Sequence, residues 1–202
     1  MIHWLYWIFP YLIGSIPTSV WIGRLVRGID IREHGSGNAG ATNTYRVLGR
    51  NCAVVVTLID ILKGFISVYG LSHWLTPDAS VDQIALWRIG AGLAAMIGHI
   101  YPIWAGFRGG KGVLTAIGAI LALTPQASLL AIAIGVALLL ITHIVSIGSI
   151  IGGLAYPLMI FFFFPGDSSY YLVFGIVCFL IFVYTHRSNI RRLLNHQENK
   201  IF

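Results

Sequence analysis

Charged residues are scarce in this 202-residue sequence, where they make up 10% of the chain against 57% hydrophobic residues. Soluble domains carry about 25% charged residues, so this composition argues against a water-soluble core. A lipid bilayer accounts for it, because each spanning helix needs about 20 mostly apolar residues. Seven such helices would use about 140 residues, which leaves no room for a separate soluble domain. We therefore expect a single integral membrane domain over residues 1–202.

Cysteines and cytoplasmic carboxylates are also few. The two cysteines, Cys52 and Cys178, lie in apolar runs without CxxC or Cys/His spacing, which argues against a disulfide or a zinc site. Magnesium sites usually draw on carboxylate oxygens, which the polar segments below largely lack, so we expect no metal and no other cofactor. The net charge of +6 could suggest nucleic acid in a soluble protein. In a membrane protein basic residues are judged by their position, and no nucleic-acid partner is expected.

The apolar residues divide into segments at about 3–23, 52–75, 84–104, 113–145 and 146–186. A single helix over 113–145 would be about 50 Å long against a hydrocarbon core of about 30 Å, so it must break. Residues 124–126 are the natural place, because Pro125 removes a helix hydrogen bond. Turn residues predict further breaks at 146–148 and 165–168. This division predicts an all-α polytopic membrane protein with seven transmembrane helices, the fourth of them short.

The distribution of charge supports seven spans with the N-terminus outside and the C-terminus cytoplasmic. This topology gives the cytoplasmic side 11 of the 13 basic residues, namely Arg24, Arg27, Arg32, Arg46, Arg50, Arg108, Lys111, Arg187, Arg191, Arg192 and Lys200. The opposite side receives Asp78, Asp82 and Asp167 with only Arg88 nearby, a strong positive-inside pattern. Three polar, glycine- and base-rich segments then share the cytoplasmic face: residues 35–46, 98–112 and 186–198.

The first of these segments, residues 35–46, contains a formal GxGxxG motif. A dinucleotide site needs a preceding strand and a βαβ unit, and apolar helices flank this motif instead. Consecutive small residues nevertheless let backbone N–H groups converge on an anion. Neutral donors and one planar charge suited to phosphate accompany the glycines: Ser36, Asn38, Thr42, Asn43 and Arg46. The alternative is a loop made only for flexibility.

The second segment ends in Gly109-Gly110-Lys111-Gly112. This run resembles a P-loop, but alanine stands where its first glycine belongs and glycine stands where Ser or Thr should follow the lysine. A lysine among glycines at the start of a helix still favours an anion. The alternative is that Lys111 serves only as a positive-inside anchor.

In the third segment, His186, Asn189 and Arg192 recur at three-residue spacing and can share one helical face. Arg187 and Arg191 fall on a neighbouring stripe suited to acidic lipid head groups. Lipid anchoring alone is the alternative for all three arginines.

Two further charges, Asp60 and Lys63, lie inside an apolar segment. At i and i+3 they share a helix face and can pair, which lowers the free-energy cost of placing each charge in lipid. A structural ion pair and a supporting role for the site both remain open.

Taken together, the segments resemble the bacterial acyl-phosphate:glycerol-3-phosphate acyltransferase family (the PlsY family) over essentially the whole chain. The family's motifs resemble residues 35–43 with Arg46, then Gly98-His99 with Pro102 and residues 107–113, then residues 186–193 with Glu198. Residues 60–64 are similar to a further family feature. Two residues depart from the pattern: Arg108 stands where lysine is common, and His196 where glycine is common.

The resemblance implies an enzyme that transfers a fatty acyl group from acyl phosphate to the 1-hydroxyl of glycerol 3-phosphate. The products would be lysophosphatidic acid and inorganic phosphate, the first acylation step of phospholipid synthesis. It also implies a multi-pass protein of the bacterial cytoplasmic (inner) membrane with its active site facing the cytoplasm. Its expected partners are glycerol 3-phosphate, long-chain acyl phosphate, membrane lipids and, as a candidate, the enzyme that makes acyl phosphate.

Site residues are expected in all three segments. The candidate catalytic residues are Ser36, Arg46, Lys111, His186 and Asn189. The candidate substrate-binding residues are Gly35, Gly37, Asn38, Gly40, Thr42, Asn43, His99, Gly109, Gly110, Gly112, Arg192 and Glu198. Backbone amides of residues 35–43 and 109–112 are expected to stabilise charge on the leaving phosphate and the carbonyl oxygen.

Several mechanistic and functional alternatives remain open at this point. The general base could be His186 or a substrate phosphate oxygen. A covalent role for Ser36 is less favoured, because no base is fixed beside it in sequence. A transporter of a phosphorylated metabolite is a rival function, although polar groups at one face and the lack of a repeat argue against it. An acyltransferase that uses a thioester donor is a second rival.

Overall fold

The computed structural model describes residues 5–72, 79–165 and 169–201, and these ranges form helices and no strand. They divide between two compact units, Met1–Ala122 and Leu123–Phe202. The all-α prediction is therefore confirmed for the described residues. Asp78, Asp167 and most of the break predicted at 165–168 lie outside them. The prediction of one domain over residues 1–202 stays a prediction.

The described residues of the first unit form six α-helices, with α1, α4 and α5 packed on one another and α2 and α3 against α4. They are α1 (Leu5–Gly14), α2 (Thr18–Arg27), α3 (Ala41–Leu48), α4 (Arg50–Ser72), α5 (Val81–Ile100) and α6 (Val113–Leu123). A small apolar cluster below the α2–α3 connection is formed by Val20, Ile31, Ala39 and Leu48. The polar residues 32–38 lie between Ile31 and Ala39, so both ends of this segment are fixed by the apolar cluster.

The first apolar segment, expected as one continuous span over 3–23, is broken between α1 and α2, so that expectation is wrong. Helix α1 ends at Gly14 and α2 begins at Thr18. Pro17 has no backbone N–H and disfavours helical geometry in the residue before it. The break is stabilised from α4, because Lys63 Nζ donates a hydrogen bond of 3.1 Å to the Ile16 carbonyl.

Helix α6 is 11 residues long, as expected of the short fourth span. Its backbone lies directly against α4. A Cβ added at Gly64 would overlap the Thr115 carbonyl, and one added at Gly118 would overlap the Ile61 carbonyl. Only glycine allows helices to approach this closely.

The second unit contains α7 (Pro125–Thr142), α8 (Val145–Phe163), α9 (Ser169–Thr185) and α10 (Arg187–Leu194). The break predicted at 124–126 is confirmed, since Pro125 is the first residue of α7. The break expected at 146–148 lies earlier, at His143 and Ile144. His143 ends α7 with a left-handed φ of 60°, a conformation that few residues other than glycine adopt.

Within the part of the chain that the structure describes, four segments are long and apolar enough to cross a membrane: Arg50–Gly70, Val81–Ala105, Pro125–Thr142 and Val145–Phe163. A fifth results if α9 and α10, which are bent by 64° relative to each other, count as one span. Helices α1, α2 and α6 are shorter, at 10, 10 and 11 residues. The predicted count of seven spans and the predicted orientation of the termini stay predictions.

Candidate active site

The loop at residues 35–40 is built around the side chain of Asn43. Its Oδ1 accepts the Ser36 N–H at 2.8 Å, and its Nδ2 donates to the carbonyls of Ile31 and His34 at 3.0 Å each. The side chain is buried, with the residue 1% exposed. Asn43 was expected to offer a donor to the substrate. Its side chain holds the loop through these three hydrogen bonds, and its predicted substrate contact stays a prediction.

Two glycines of this loop are required by its backbone. Gly35 and Gly37 have φ values of 61° and 72°, in the left-handed region that favours glycine. A Cβ added at Gly35 would also overlap Asn43 Oδ1. These glycines therefore shape the loop, whereas the side chain of Ser36 between them is exposed to solvent.

Helix α3 begins directly after this loop, with Gly40 as its N-cap residue. The first turn of a helix leaves N–H groups without intrahelical acceptors, and a glycine cap has no side chain to accept them. Such an N-terminus favours an anion. Thr42 lies in this turn and is half-buried, while Arg46 lies in the last turn and is exposed.

The glycine loop at residues 109–112 folds back on the C-terminal end of α5. The N–H groups of Gly109 and Gly110 donate to the carbonyls of Ile100 and His99, each at 3.1 Å. These two amides close the end of α5 and are not directed at a substrate. The same holds for the Gly37 and Gly40 amides, which donate to loop carbonyls. These four amides have partners within the protein, and the expectation that amides of both loops bind the reacting groups stays a prediction.

The two loops are in contact, as the sequence predicted for segments 35–46 and 98–112. A Cβ added at Gly110 would lie 2.7 Å from the Ala39 carbonyl. Arg32 joins the segments further, because its Nη1 donates to the carbonyls of Ala105 at 2.6 Å and Arg108 at 3.0 Å. Lys111 is half-buried and follows Gly110 directly. Its position brings the lysine close to the first loop.

Arg32 is a structural residue of the site that the sequence reasoning missed, since it was counted only as a cytoplasmic charge. Asp30 holds it through a salt bridge of 2.6 Å. The hydrogen bonds and charge of Arg32 keep the pKa of the Asp30 carboxyl well below its ordinary value, although partial burial opposes this shift. The Asp30 side chain also accepts the Arg32 backbone N–H. An Asp-x-Arg spacing at a helical turn was the available signal.

His99 lies behind the glycine loop. The residue is 7% exposed, and a Cβ added at Gly110 would overlap its Nε2 atom. Its Nδ1 is 3.8 Å from Asp60 Oδ1, and Asp60 forms the expected ion pair with Lys63 at 2.9 Å. The predicted substrate contact of His99 stays a prediction, and the contacts observed are with the loop backbone and Asp60.

In the second unit, the carboxylate of Glu198 organises the third segment. It accepts hydrogen bonds from Ser146 Oγ at 3.0 Å and from Asn189 Nδ2, and it pairs with Arg192 Nε at 2.7 Å. Burial raises the pKa of Glu198, but the hydrogen bonds from Arg192, Asn189 and Ser146 outweigh this effect and hold the pKa below its ordinary value. Glu198, predicted as a substrate contact, here orients Asn189 and Arg192.

His186 lies at the turn between α9 and α10 and is 2% exposed. Its Nδ1 is 2.9 Å from the Phe182 carbonyl, so this nitrogen carries a proton and donates to that oxygen. His196, which stands where the family commonly has glycine, has a φ of 56°. The residue that departs from the family pattern therefore has a left-handed backbone conformation, which favours glycine. The expectation that this segment joins the first two at one site stays a prediction.

Comparison with known proteins identifies relatives over nearly the full length of the chain. The family model of glycerol-3-phosphate acyltransferase matches residues 4–196. A glycerol-3-phosphate acyltransferase of Chlorobaculum tepidum is 45% identical, over 96% of this chain and 94% of that protein. Its counterpart in Chlorobaculum parvum is 43% identical, over 95% of this chain and 93% of that protein.

Two solved structures share the fold at 36% sequence identity, over 98% of this chain and 94% of theirs. Both are crystal structures of PlsY, an integral membrane glycerol 3-phosphate acyltransferase. The glycerol 3-phosphate form superimposes with a TM-score of 0.87 and the lysophosphatidic acid form with one of 0.85.

Proposed function

We propose that this chain, which belongs to the glycerol-3-phosphate acyltransferase family of integral membrane enzymes, takes its acyl group from acyl phosphate. The acceptor is the 1-hydroxyl of glycerol 3-phosphate, and the products are lysophosphatidic acid and inorganic phosphate. The observation that best supports this proposal is the contact between the loops at residues 35–40 and 109–112. Ser36 and Lys111 lie in these two loops, and Arg46 lies in α3, which directly follows the first loop. A hydroxyl and two cations suit substrates that both carry phosphate.

The first loop supplies the phosphate-binding groups. The exposed Arg46 guanidinium can bind phosphate oxygens in a bidentate manner. The first-turn amides of α3 favour the same anion, and the exposed Ser36 hydroxyl can donate to a second oxygen. Lys111 binds the phosphate of glycerol 3-phosphate with the first loop, and it also neutralises charge that develops on the leaving phosphate. Within the second unit, Glu198 orients the side chains of Asn189 and Arg192.

In the chemical step, the acceptor oxygen bonds to the carbonyl carbon and the bond between that carbon and the phosphate oxygen breaks. The hydroxyl proton moves to a phosphate oxygen of the acyl phosphate, which departs as inorganic phosphate. The burial of the His186 ring, which is 2% exposed, favours this route over a histidine base. Acyl phosphates are already activated, so positioning supplies much of the rate. His186 then acts as a positioning residue.

We further propose seven spans, with the broken α1–α2 pair as the first, followed by α4, α5, α6, α7, α8 and α9. This arrangement puts the N-terminus outside and the active site on the cytoplasmic side of the bacterial inner membrane. The distribution of basic residues supports it. Cysteine substitutions at Ser36, Arg108 and Asn195 test it, because all three should react with impermeant thiol reagents only from the cytoplasmic side. Labelling of any of them from the outside would refute this orientation.

The donor is tested by direct comparison. Purified protein in lipid nanodiscs is mixed with glycerol 3-phosphate and either palmitoyl phosphate or palmitoyl-CoA, and lysophosphatidic acid and phosphate are measured. We expect turnover with palmitoyl phosphate and equal amounts of both products. Turnover with the thioester alone would refute the donor assignment, and uptake of glycerol 3-phosphate into sealed vesicles without acylation would favour transport. The enzyme that makes acyl phosphate is the proposed source of the donor.

A further inference from the structure

The buried ion pair of α4 is not used by the proposed reaction. Asp60 and Lys63 are 1% and 4% exposed, and Lys63 Nζ lies 2.9 Å from Asp60 Oδ1. Removing two charges from water is costly unless additional hydrogen bonds satisfy them. A charged pair inside an apolar segment is therefore a candidate for a functional role.

Asp60 and Lys63 make additional hydrogen bonds with residues at the break between α1 and α2. Thr18 Oγ1 donates to Asp60 Oδ1 at 3.0 Å, and Lys63 Nζ donates to the Ile16 carbonyl at 3.1 Å. Both partners flank Pro17, where the helix is interrupted. The pair thus holds the end of one helix and the beginning of the next against α4.

The ion pair also lies close to His99, which is in the last turn of α5. The imidazole Nδ1 is 3.8 Å from Asp60 Oδ1, and the Nε2 side of the ring packs against Gly110. The His99 carbonyl accepts the Gly110 N–H at 3.1 Å. Gly110 in turn contacts the Ala39 carbonyl of the first loop. A shift of the His99 ring would therefore displace the backbone next to Lys111.

We infer that Asp60, Lys63 and His99 are positioning residues that set the glycine loop, and with it Lys111, against the first phosphate-binding loop. The chain of contacts runs from the ion pair to the imidazole, to Gly110 and to Ala39. None of the three residues touches the reacting atoms in this account. The inference rests on the proposed function, because that function assigns both loops to phosphate.

A positioning role differs from a structural role in what it changes. If the pair only stabilises the fold, its removal lowers the melting temperature and leaves the substrate affinity of the folded protein unchanged. If the pair positions the loop, the folded variant binds glycerol 3-phosphate more weakly. Misplacement of a binding group by about 1 Å is sufficient for an effect of about 100-fold.

The test uses the full-length protein in nanodiscs and the variants Asp60→Asn, His99→Ala and the double variant Asp60→Asn/Lys63→Met. Thr57→Val on the same helix is the control, because the Thr57 hydroxyl bonds within α4, to the Ala53 carbonyl. Kinetics with palmitoyl phosphate give kcat and the KM for glycerol 3-phosphate. Calorimetry gives the affinity for glycerol 3-phosphate without turnover, and thermal unfolding gives stability.

We expect Asp60→Asn and His99→Ala to raise the KM for glycerol 3-phosphate by about 10- to 100-fold, with a smaller change in kcat and a matching loss in calorimetry. If Asp60→Asn does not fold, the double variant decides, because it leaves no unpaired buried charge. It should fold and still bind glycerol 3-phosphate weakly. Thr57→Val should keep the parent KM.

A fourth variant, Asp60→Asn/His99→Ala, tests the path through His99. When Asp60→Asn is added to His99→Ala, the KM should change by less than about twofold further, because residues that act through one contact are not additive. Additive effects would refute the path. A normal KM in folded Asp60→Asn or in Asp60→Asn/Lys63→Met would refute the positioning role. If the parent binds glycerol 3-phosphate but does not turn over palmitoyl phosphate, the donor assignment fails and calorimetry still decides the inference.

Discussion

The substitution Asn43→Ala distinguishes a residue that builds the loop from one that binds the substrate. Asn43 makes three hydrogen bonds of 2.8 to 3.0 Å to the backbone of Ile31, His34 and Ser36. Each such bond contributes a net 0.5 to 1.5 kcal/mol, so their loss should destabilise the fold by about 3 kcal/mol. The residue is 1% exposed, and water cannot readily replace the lost partners.

The assay combines thermal unfolding in detergent with steady-state kinetics at saturating acyl phosphate. We expect a melting temperature lower by several degrees and a fall in kcat/KM of more than about tenfold, because Ser36 loses the acceptor that holds its backbone. Asn51→Ala removes an exposed asparagine at the start of α4 and serves as the matched control. It should leave both measurements unchanged.

The variant Asn43→Asp sharpens the test. It keeps an acceptor for the Ser36 N–H but places a negatively charged oxygen beside two carbonyls, so it should not restore stability. A raised KM with an unchanged melting temperature in Asn43→Ala would refute the reasoning. That result would mean that the amide contacts the substrate and that the loop folds without it.

Four further substitutions have defined outcomes. Arg46→Ala and Lys111→Ala should abolish lysophosphatidic acid formation while the protein still inserts, because each removes a cation assigned to phosphate; the exposed Arg50→Ala should remain active. His196→Gly should raise the free energy of unfolding by about 1 kcal/mol, since a left-handed φ of 56° is unfavourable for a residue with a β-carbon. Glu198→Gln should lower stability at neutral pH. Because the folded pKa of Glu198 is below its ordinary value of 4.5, the ionised carboxylate stabilises the parent above about pH 4.5, and this stabilisation is lost as pH falls through the folded pKa.

Each of these outcomes has a result that contradicts it. Full activity in Arg46→Ala or Lys111→Ala would remove that residue from the site. An unchanged or lower melting temperature in His196→Gly would show that the histidine side chain compensates its backbone strain. For Glu198, the difference in stability between parent and Gln variant should shrink as pH falls below 4.5. A difference that stays constant with pH would exclude the ionised carboxylate as its source.

Local chemistry was sufficient to predict several features of the fold. The break at Pro125 follows from the missing amide of proline, and the short α6 follows from the length of the apolar run. The pairing of Asp60 with Lys63 follows from their spacing on one helical face. The break at His143 was placed three residues too late, because histidine seldom adopts the left-handed conformation it has there.

The sequence by itself determined the composition of the candidate site, its helical scaffold and its family, because apolar run length, proline position and motif spacing are local properties. Only the tertiary structure decided how each polar group is used. Asn43 and Glu198 are predicted substrate contacts, and the structure shows that both also hydrogen-bond to groups of the protein itself. Arg32 bonds to carbonyls more than 70 residues away. A sequence states how many hydrogen bonds a side chain can make, and folding determines whether its partner is the protein or a ligand.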